Sequence, residues 1–396
     1  MIAVYTITSG LHDERSVARL SDEFLGGLFP DGDYLFRGAD FSDFGTHSLD
    51  LIYVRTGGAE GIFKALLPEM LARGIDRYYL LTSGKSKSLA ASLEILSYLQ
   101  QQGLGGEVLH GAEAYVSARI RTLEAVTTAR AALRGRRIGV VGQPSDWLIA
   151  SQADSMAVLD RLGIRITEIP MEELLTEIDK APGSPAPQEL RMAPAVRASF
   201  PGAVRIYNAL KVLATRHQLN ALTLRCFDLL TTVQNTGCLA LSRLNSEGIT
   251  ASCEGDVPAL LSMMIAHALT GVSGFQANPA QIDVETGRIL FAHCTIPFNM
   301  VDEYQFDTHF ESGIGVGIHG HFPEGPVTVF KVSGKLDRHF AAEGQLEANR
   351  YGQNLCRTQV VVQLRPEDAR YFLTTPIGNH HIIVPGHCKA LLEELL

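Results

Sequence analysis

The sequence predicts an α/β protein: two doubly wound parallel-sheet domains followed by a mostly antiparallel, barrel-like β domain. Three observations predict it. The first third alternates strand-like and helix-like segments, and an apolar strand, Arg137-Ile-Gly-Val-Val-Gly142, opens a second such unit. After Asp302, strands follow one another with little helix between them. A chain of 396 residues exceeds one ordinary domain; the expected divisions are 1–135, 136–300 and 301–396.

The elements follow in order. Met1-Ile-Ala-Val-Tyr5 reads as a first strand, and Leu51-Ile-Tyr-Val-Arg55 as another, followed by a glycine turn and a helical run from Ile62 to Arg73. The strand Arg77–Thr82 leads to a helix over Ser88–Gln102, where Leu89, Leu93, Ile95, Leu96 and Leu99 recur near the helical period. Such alternation points to a parallel sheet covered on both faces. A helix around Ala118–Leu133 precedes the second unit, in which Ala181–Pro187 is a proline-rich loop and helix resumes from about Val204 to Arg216. Gly313–Gly320, Val327–Val332 and Gln359–Leu364 read as strands of the third domain, and Cys388–Leu396 as a closing helix.

Composition narrows the function classes. The chain is 46% hydrophobic and 19% charged, which supplies several cores and argues against disorder. Its formal charge, 34 − 43 = −9, disfavours a nucleic-acid partner, which needs a basic stripe. The densest basic run, Arg134-Gly-Arg-Arg137, reads as a solvated edge. No segment reaches the roughly 18–20 apolar residues of a membrane helix, and the N-terminus lacks the order of a signal peptide. The six cysteines have no Cys-x-x-Cys spacing and read as reduced, buried thiols, so a cytoplasmic protein is expected.

Two local patterns invite a functional reading that their surroundings disfavour. Thr82-Ser-Gly-Lys-Ser86 lacks the earlier glycine of a phosphate loop, because Tyr79 stands where it should be. His319-Gly-His321 could chelate a metal on one strand face, but reads as a pair of surface histidines.

Potential site chemistry gathers between Cys253 and His381. In Ser252-Cys-Glu-Gly-Asp-Val-Pro258, Asp256 is a good N-cap and Pro258 fits the first turn of an apolar, buried helix running to Leu269. Glu254 then stands just ahead of that helix, where the dipole favours an ionised carboxylate. Its plainer role is a second capping acid. Gly274-Phe-Gln-Ala-Asn-Pro279 follows, and the strand Arg288–Thr295 delivers His293 at its end. His380 and His381 stand between a glycine turn and a short strand in Ile377–Val384. A glutamate with well-separated histidines suits Mn²⁺, Zn²⁺ or Fe²⁺. Arg225, ending the strand Leu222–Cys226, is a candidate for an anionic or hydroxyl-rich substrate, or for an ion pair at a domain interface.

These segments resemble the L-fucose isomerase and L-arabinose isomerase family, divalent-metal aldose–ketose isomerases. The resemblance covers most of the chain, including Leu89–Leu96 and Gly142–Ala150, and is weak at the N-terminus and best from Leu222 to Pro297. It implies that Glu254 is both metal ligand and acid/base, that His293 is a ligand, and that His380 or His381 is the C-terminal ligand. Taking His380 as the ligand leaves His381 to the substrate. It also implies a small carbohydrate or sugar-acid substrate, Mn²⁺ as the metal and a homo-trimer or homo-hexamer. One position departs from the family pattern: Asn278 stands where a second carboxylate is expected, and the nearest acid, Asp283, lies farther along. An asparagine can ligate through its carbonyl oxygen but cannot take a proton, so Asn278 is expected as a neutral fourth contact. The alternatives are a metabolite- or polyol-binding protein on the same fold, and an enediolate lyase or epimerase.

Overall fold

In the computed structural model, which describes residues 1–189 and 191–396, the chain divides into two compact units, Met1–Thr128 and Ala129–Leu396. The first is built from β1 (Ile2–Ile7), α1 (Glu14–Leu28), β2 (Tyr34–Gly38), β3 (Leu49–Val54), α2 (Glu60–Ala72), β4 (Arg77–Leu81), α3 (Ser88–Gln101) and β5 (Gly105–Leu109). A long helix, α4 (Glu113–Leu133), runs across the division. The sheet order is β2-β1-β3-β4-β5 and every pairing is parallel.

Side-chain alternation explains why both faces are covered. Ala3, Tyr5 and Ile7 pack with Ile52 and Val54 against Phe63 and Leu67 of α2 and Ile95 and Leu99 of α3. Their neighbours Ile2 and Val4 pack with Leu51 and Tyr53 against Leu25 of α1 and Ile120 of α4. Successive strand residues point to opposite faces, so apolar residues at both parities require helices on both sides.

The second unit begins with a four-stranded parallel sheet. Its elements are β6 (Arg137–Val141), α5 (Ser155–Leu162), β7 (Arg165–Ile169), α6 (Met171–Lys180), α7 (Pro194–Arg216), β8 (Ala221–Leu224), α8 (Asp228–Thr232), α9 (Cys238–Ser246), β9 (Thr250–Cys253) and α10 (Val257–Thr270). The strand order is β7-β6-β8-β9. Helix α7 begins well before Val204: Pro194 occupies its first turn and Pro201 is accommodated inside it, where local rules would end a helix.

From Phe275 onward the chain is mostly β. Strands β10 (Phe275–Asp283) and β11 (Arg288–His293) form a hairpin, and β12 (Glu303–Asp307) pairs with β13 (Gly317–His321). After β14 (Gly325–Val332), β15 (His339–Arg350) and β16 (Thr358–Gln363) come α11 (Pro366–Thr374), β17 (His381–Pro385) and α12 (Lys389–Leu395). Six strands close into an antiparallel barrel in the order β10-β11-β16-β15-β14-β17. Phe275, Ile289, Phe291, Val329, Leu346 and Ile383 fill its core. The strand read at Gly313–Gly320 is shorter and lies outside the barrel, because Gly313 and Gly315 adopt left-handed turn conformations, φ 68° and 69°. Among the described residues no helix is long and apolar enough to cross a membrane.

The barrel core sets a stability expectation. Phe291 is fully buried, its ring 5.7 Å from that of Phe372. Phe291→Ala is expected to destabilise the second unit by about 3–5 kcal/mol through lost burial and an unfilled cavity. Denaturant unfolding followed by circular dichroism checks it; an unchanged midpoint would contradict this packing.

Candidate metal centre

At the end of β9 the backbone turns sharply into α10. Glu254 and Gly255 adopt successive left-handed conformations, φ 66° and 72°. Glycine is required at 255, where an added Cβ would stand 2.7 Å from Gln143 O and Pro144 Cα. Glu254 has no such freedom. A non-glycine residue in this region costs about 1–3 kcal/mol, a cost that clusters at functional positions. The turn aims the Glu254 carboxylate at two histidines.

Oε1 of Glu254 lies 3.3 Å from His380 Nε2 and 3.9 Å from His293 Nε2. One donor atom from each of Glu254, His293 and His380 can be chosen so that all lie within 4.8 Å of one another. All three residues are buried. His293 ends β11, a strand of the barrel rather than of the parallel sheet, and His380 immediately precedes β17. The far nitrogen of each ring is held. His380 Nδ1 is 2.9 Å from Asp256 Oδ2, and His293 Nδ1 is 2.8 Å from Thr295 Oγ1. A ring whose Nδ1 carries the proton presents the lone pair of Nε2 to the cluster, the usual arrangement around a metal-ligating histidine.

Asp256 makes three kinds of contact at zero exposure. It caps α10 by accepting from Ala259 N at 2.8 Å, it faces His380, and it accepts from Lys331 Nζ at 3.3 Å to both oxygens. Lys331 is itself fully buried. These groups set the local charges. Against the cost of burial, His293 and His380 hold the Glu254 carboxyl well below the usual carboxylate range. Burial would lower His380, but Asp256 and Glu254 push it up to about 9, so without a cation its Nε2 carries a proton, which must leave before that nitrogen can serve as a ligand. Burial, reinforced by the neighbouring His380, lowers His293.

The donor set fits a divalent cation. His380 Nε2 and Asn278 Oδ1 are buried without a hydrogen-bond partner; the 3.3 Å approach of His380 to Glu254 is close but not aligned as a hydrogen bond. Buried polar atoms ordinarily find partners, and one carboxylate with two imidazoles is a borderline donor set suited to Mn²⁺, Fe²⁺ or Zn²⁺. Asn278 lies on β10 opposite Ala292, the residue before His293. Ala277 pairs with His381, which brings Asn278 to the level of His380. Two residues back on the same strand face, Gln276 accepts from Cys253 N at 2.7 Å, so this face of β10 is turned toward the Glu254 loop.

The remaining candidates lie elsewhere. His381 points into the barrel, its ring 4.6 Å from Phe372 and 6.0 Å from Phe340, with Tyr371 Oη 3.1 Å from Nε2. Burial pushes it down to about 3, so it is a neutral core histidine. Strand alternation separates it from His380. Arg225 is committed to Pro144 O, Asp146 and Asp228, an ion-pair network bracing the loop after β6. His319 stacks on Tyr351, 4.4 Å between rings, and among the described residues the only three-ligand group is the one at Glu254. Surface recesses of about 610 and 600 Å³, both bordered by Tyr351, include no residue of the cluster.

Other residues of the centre escaped the sequence reading. Trp147 Nε1 donates to Glu254 Oε2 at 2.7 Å. Its ring meets Phe227 edge-on at 4.8 Å, and Phe227 meets His309 at 5.6 Å. Burial lowers His309 to about 4, leaving it neutral. Lys331 could have been found: it shares the strand parity of Val327 and Val329, both in the barrel core. A lysine on an apolar face needs a buried partner.

The Lys331–Asp256 pair yields an expected outcome. Asp256→Asn leaves a fully buried lysine without its counter-charge, and the expected loss is about 3–5 kcal/mol. Adding Lys331→Met should recover most of it. Denaturation midpoints of the single and double variants check both, and a neutral Asp256→Asn would contradict the pairing.

Comparison with known proteins adds a chemical direction. The chain is 29% identical over 212 residues to the sulfoquinovose isomerase of Clostridium sp. (strain MSTE9), covering 49% of this chain and 45% of that protein. It is 26% identical over 239 residues to the sulfoquinovose isomerase of Alkalicoccus urumqiensis, covering 56% and 53%. With that of Priestia aryabhattai it shares 25% identity over 280 residues, covering 67% and 63%. The chain thus spans between about half and just under two-thirds of the length of these curated relatives. No family model matches it. The likeness is to sugar isomerases, and it meets a chain whose one three-ligand cluster among the described residues is Glu254, His293 and His380.

Proposed function

We propose that the chain is a divalent-metal-dependent aldose–ketose isomerase acting on a sugar or sugar acid, with sulfoquinovose, the sugar in its relatives' name, the first substrate to test. The observation that carries this reading is the buried Glu254–His293–His380 cluster with its unpartnered His380 Nε2. Glu254, His293 and His380 would hold the ion, Mn²⁺ in the first instance, with Asn278 Oδ1 a neutral fourth contact. The resemblance to fucose and arabinose isomerases supports the same assignment and adds a trimer or hexamer.

When bound, a divalent ion supplies Lewis-acid polarisation of the substrate's carbonyl and hydroxyl oxygens. The remaining work falls to the chain. Asp256 and Thr295 fix the two imidazoles in the ring orientation that presents Nε2. Glu254, ionised and held by Trp147, takes the proton from one substrate carbon and returns it to the neighbouring one through an enediol, as the substrate's hydroxyl proton passes to its carbonyl oxygen. Asn278 cannot share that task, so a single carboxylate handles both proton steps.

The test is turnover with a Glu254→Gln variant, which keeps the shape and removes the base. Isomerisation of sulfoquinovose or a related aldose, followed by ketose formation, is expected to fall on the order of 10²–10⁴-fold. Equal turnover by wild type and variant would overturn the assignment. Products of chain cleavage or of inverted configuration would instead select a lyase or an epimerase using the same carboxylate.

A further inference from the structure

The two oxygens of Glu254 have different surroundings. Oε1 faces the imidazoles at 3.3 and 3.9 Å. Oε2 accepts a 2.7 Å hydrogen bond from the indole of Trp147, the single tryptophan of the sequence. We propose that Trp147 is a positioning residue that reserves Oε1 for the metal and keeps Oε2 as the oxygen that carries the proton. This inference rests on the isomerase reading and gives a role to a residue that reading leaves as a simple neighbour.

Donor chemistry supports the division. An indole N–H only donates, so Trp147 can neither ligate a cation nor take a proton; it can only direct the oxygen it binds. A carboxylate oxygen has two lone-pair sites. Oε2 therefore keeps one free after accepting the indole hydrogen, whereas a carboxylate bound through both oxygens would have neither oxygen free of the ion. The proton leaving the hydroxyl-bearing carbon is held on that free site and returned to the adjacent carbon, while the hydroxyl proton passes to the former carbonyl oxygen, so the atoms balance and Glu254 ends the cycle as it began.

The indole is fixed from several sides. Ser145 N donates to Glu254 O at 2.9 Å, which ties the loop carrying Trp147 to the residue it serves. Arg225 holds the same loop through Pro144 O and Asp146. Phe227 supports the ring edge-on, and Leu148, the next residue, is buried. Trp147 itself is 51% exposed. A half-exposed indole held this firmly gains little from burial; what it gains is the aim of its N–H. Arg225 thus braces the loop that carries Trp147.

Trp147→Phe keeps a ring against Phe227 and deletes the N–H. The variant is expected to bind Mn²⁺ stoichiometrically, to retain KM and to lose kcat by about 10²-fold, the scale of a reacting group misplaced by about 1 Å. Because Trp147 is the sole tryptophan, the wild type reports directly: Mn²⁺ loading is expected to quench its emission markedly, and Glu254→Gln to abolish the response. Unchanged kcat in Trp147→Phe, or stoichiometric Mn²⁺ uptake by the wild type with no change in emission, overturns the role of Trp147 and leaves the isomerase reading standing. A wild type that takes up no Mn²⁺ overturns both. A loss of kcat matched by a loss of bound Mn²⁺ would make Trp147 a structural support of the site and likewise overturn the division.

Discussion

The buried ion pair of Lys331 with Asp256 is the constraint from which the rest of this centre follows. Both residues have no exposure. Moving two charges out of water costs several kcal/mol per ion, which is tolerable here only because every acceptor on Asp256 is used. One oxygen caps α10 and the other faces His380, while Lys331 spans both. Lys331 counters the effect of burial and holds Asp256 down to about 2. An ionised Asp256 then fixes the ring of His380.

This arrangement joins two architectures within the second unit. Asp256 belongs to the turn between β9 and α10, whereas Lys331 and His380 come from the β14 and β17 region of the barrel. Glu254 and His293 are divided in the same way. The centre thus exists only when sheet and barrel are docked, and the strained Glu254–Gly255 turn is part of how they meet. Specificity of docking is a reasonable return for a buried charge, since apolar packing alone would leave the direction of His380 unspecified.

Much of the architecture was legible because it rests on local periodicity. The two-faced strands of the first unit, the apolar α10 and the change of texture near the barrel all repeat a short-range pattern. Glu254 and His293 were legible too, being an acid before a buried helix and a histidine at a strand end. The missed elements lacked such patterns. β5, Gly105-Gly-Glu-Val-Leu109, carries two glycines that strands usually avoid, and Gly106 is there because a Cβ would stand 3.0 Å from Leu96. The choice between His380 and His381 depends on register with β10, a pairing more than a hundred residues distant. Trp147 meets Glu254 across 107 positions, and nothing local announces that contact. Lys331 was the avoidable omission, since its place among Val327 and Val329 was visible in the alternation.

Glu254, His293 and His380 are proposed to form one metal site. Anomalous diffraction from crystals soaked in Mn²⁺ addresses it most directly. A single strong peak is expected between Glu254 Oε1, His293 Nε2 and His380 Nε2, with Asn278 beside it. A peak elsewhere, or none at this cluster at saturating Mn²⁺, would contradict it.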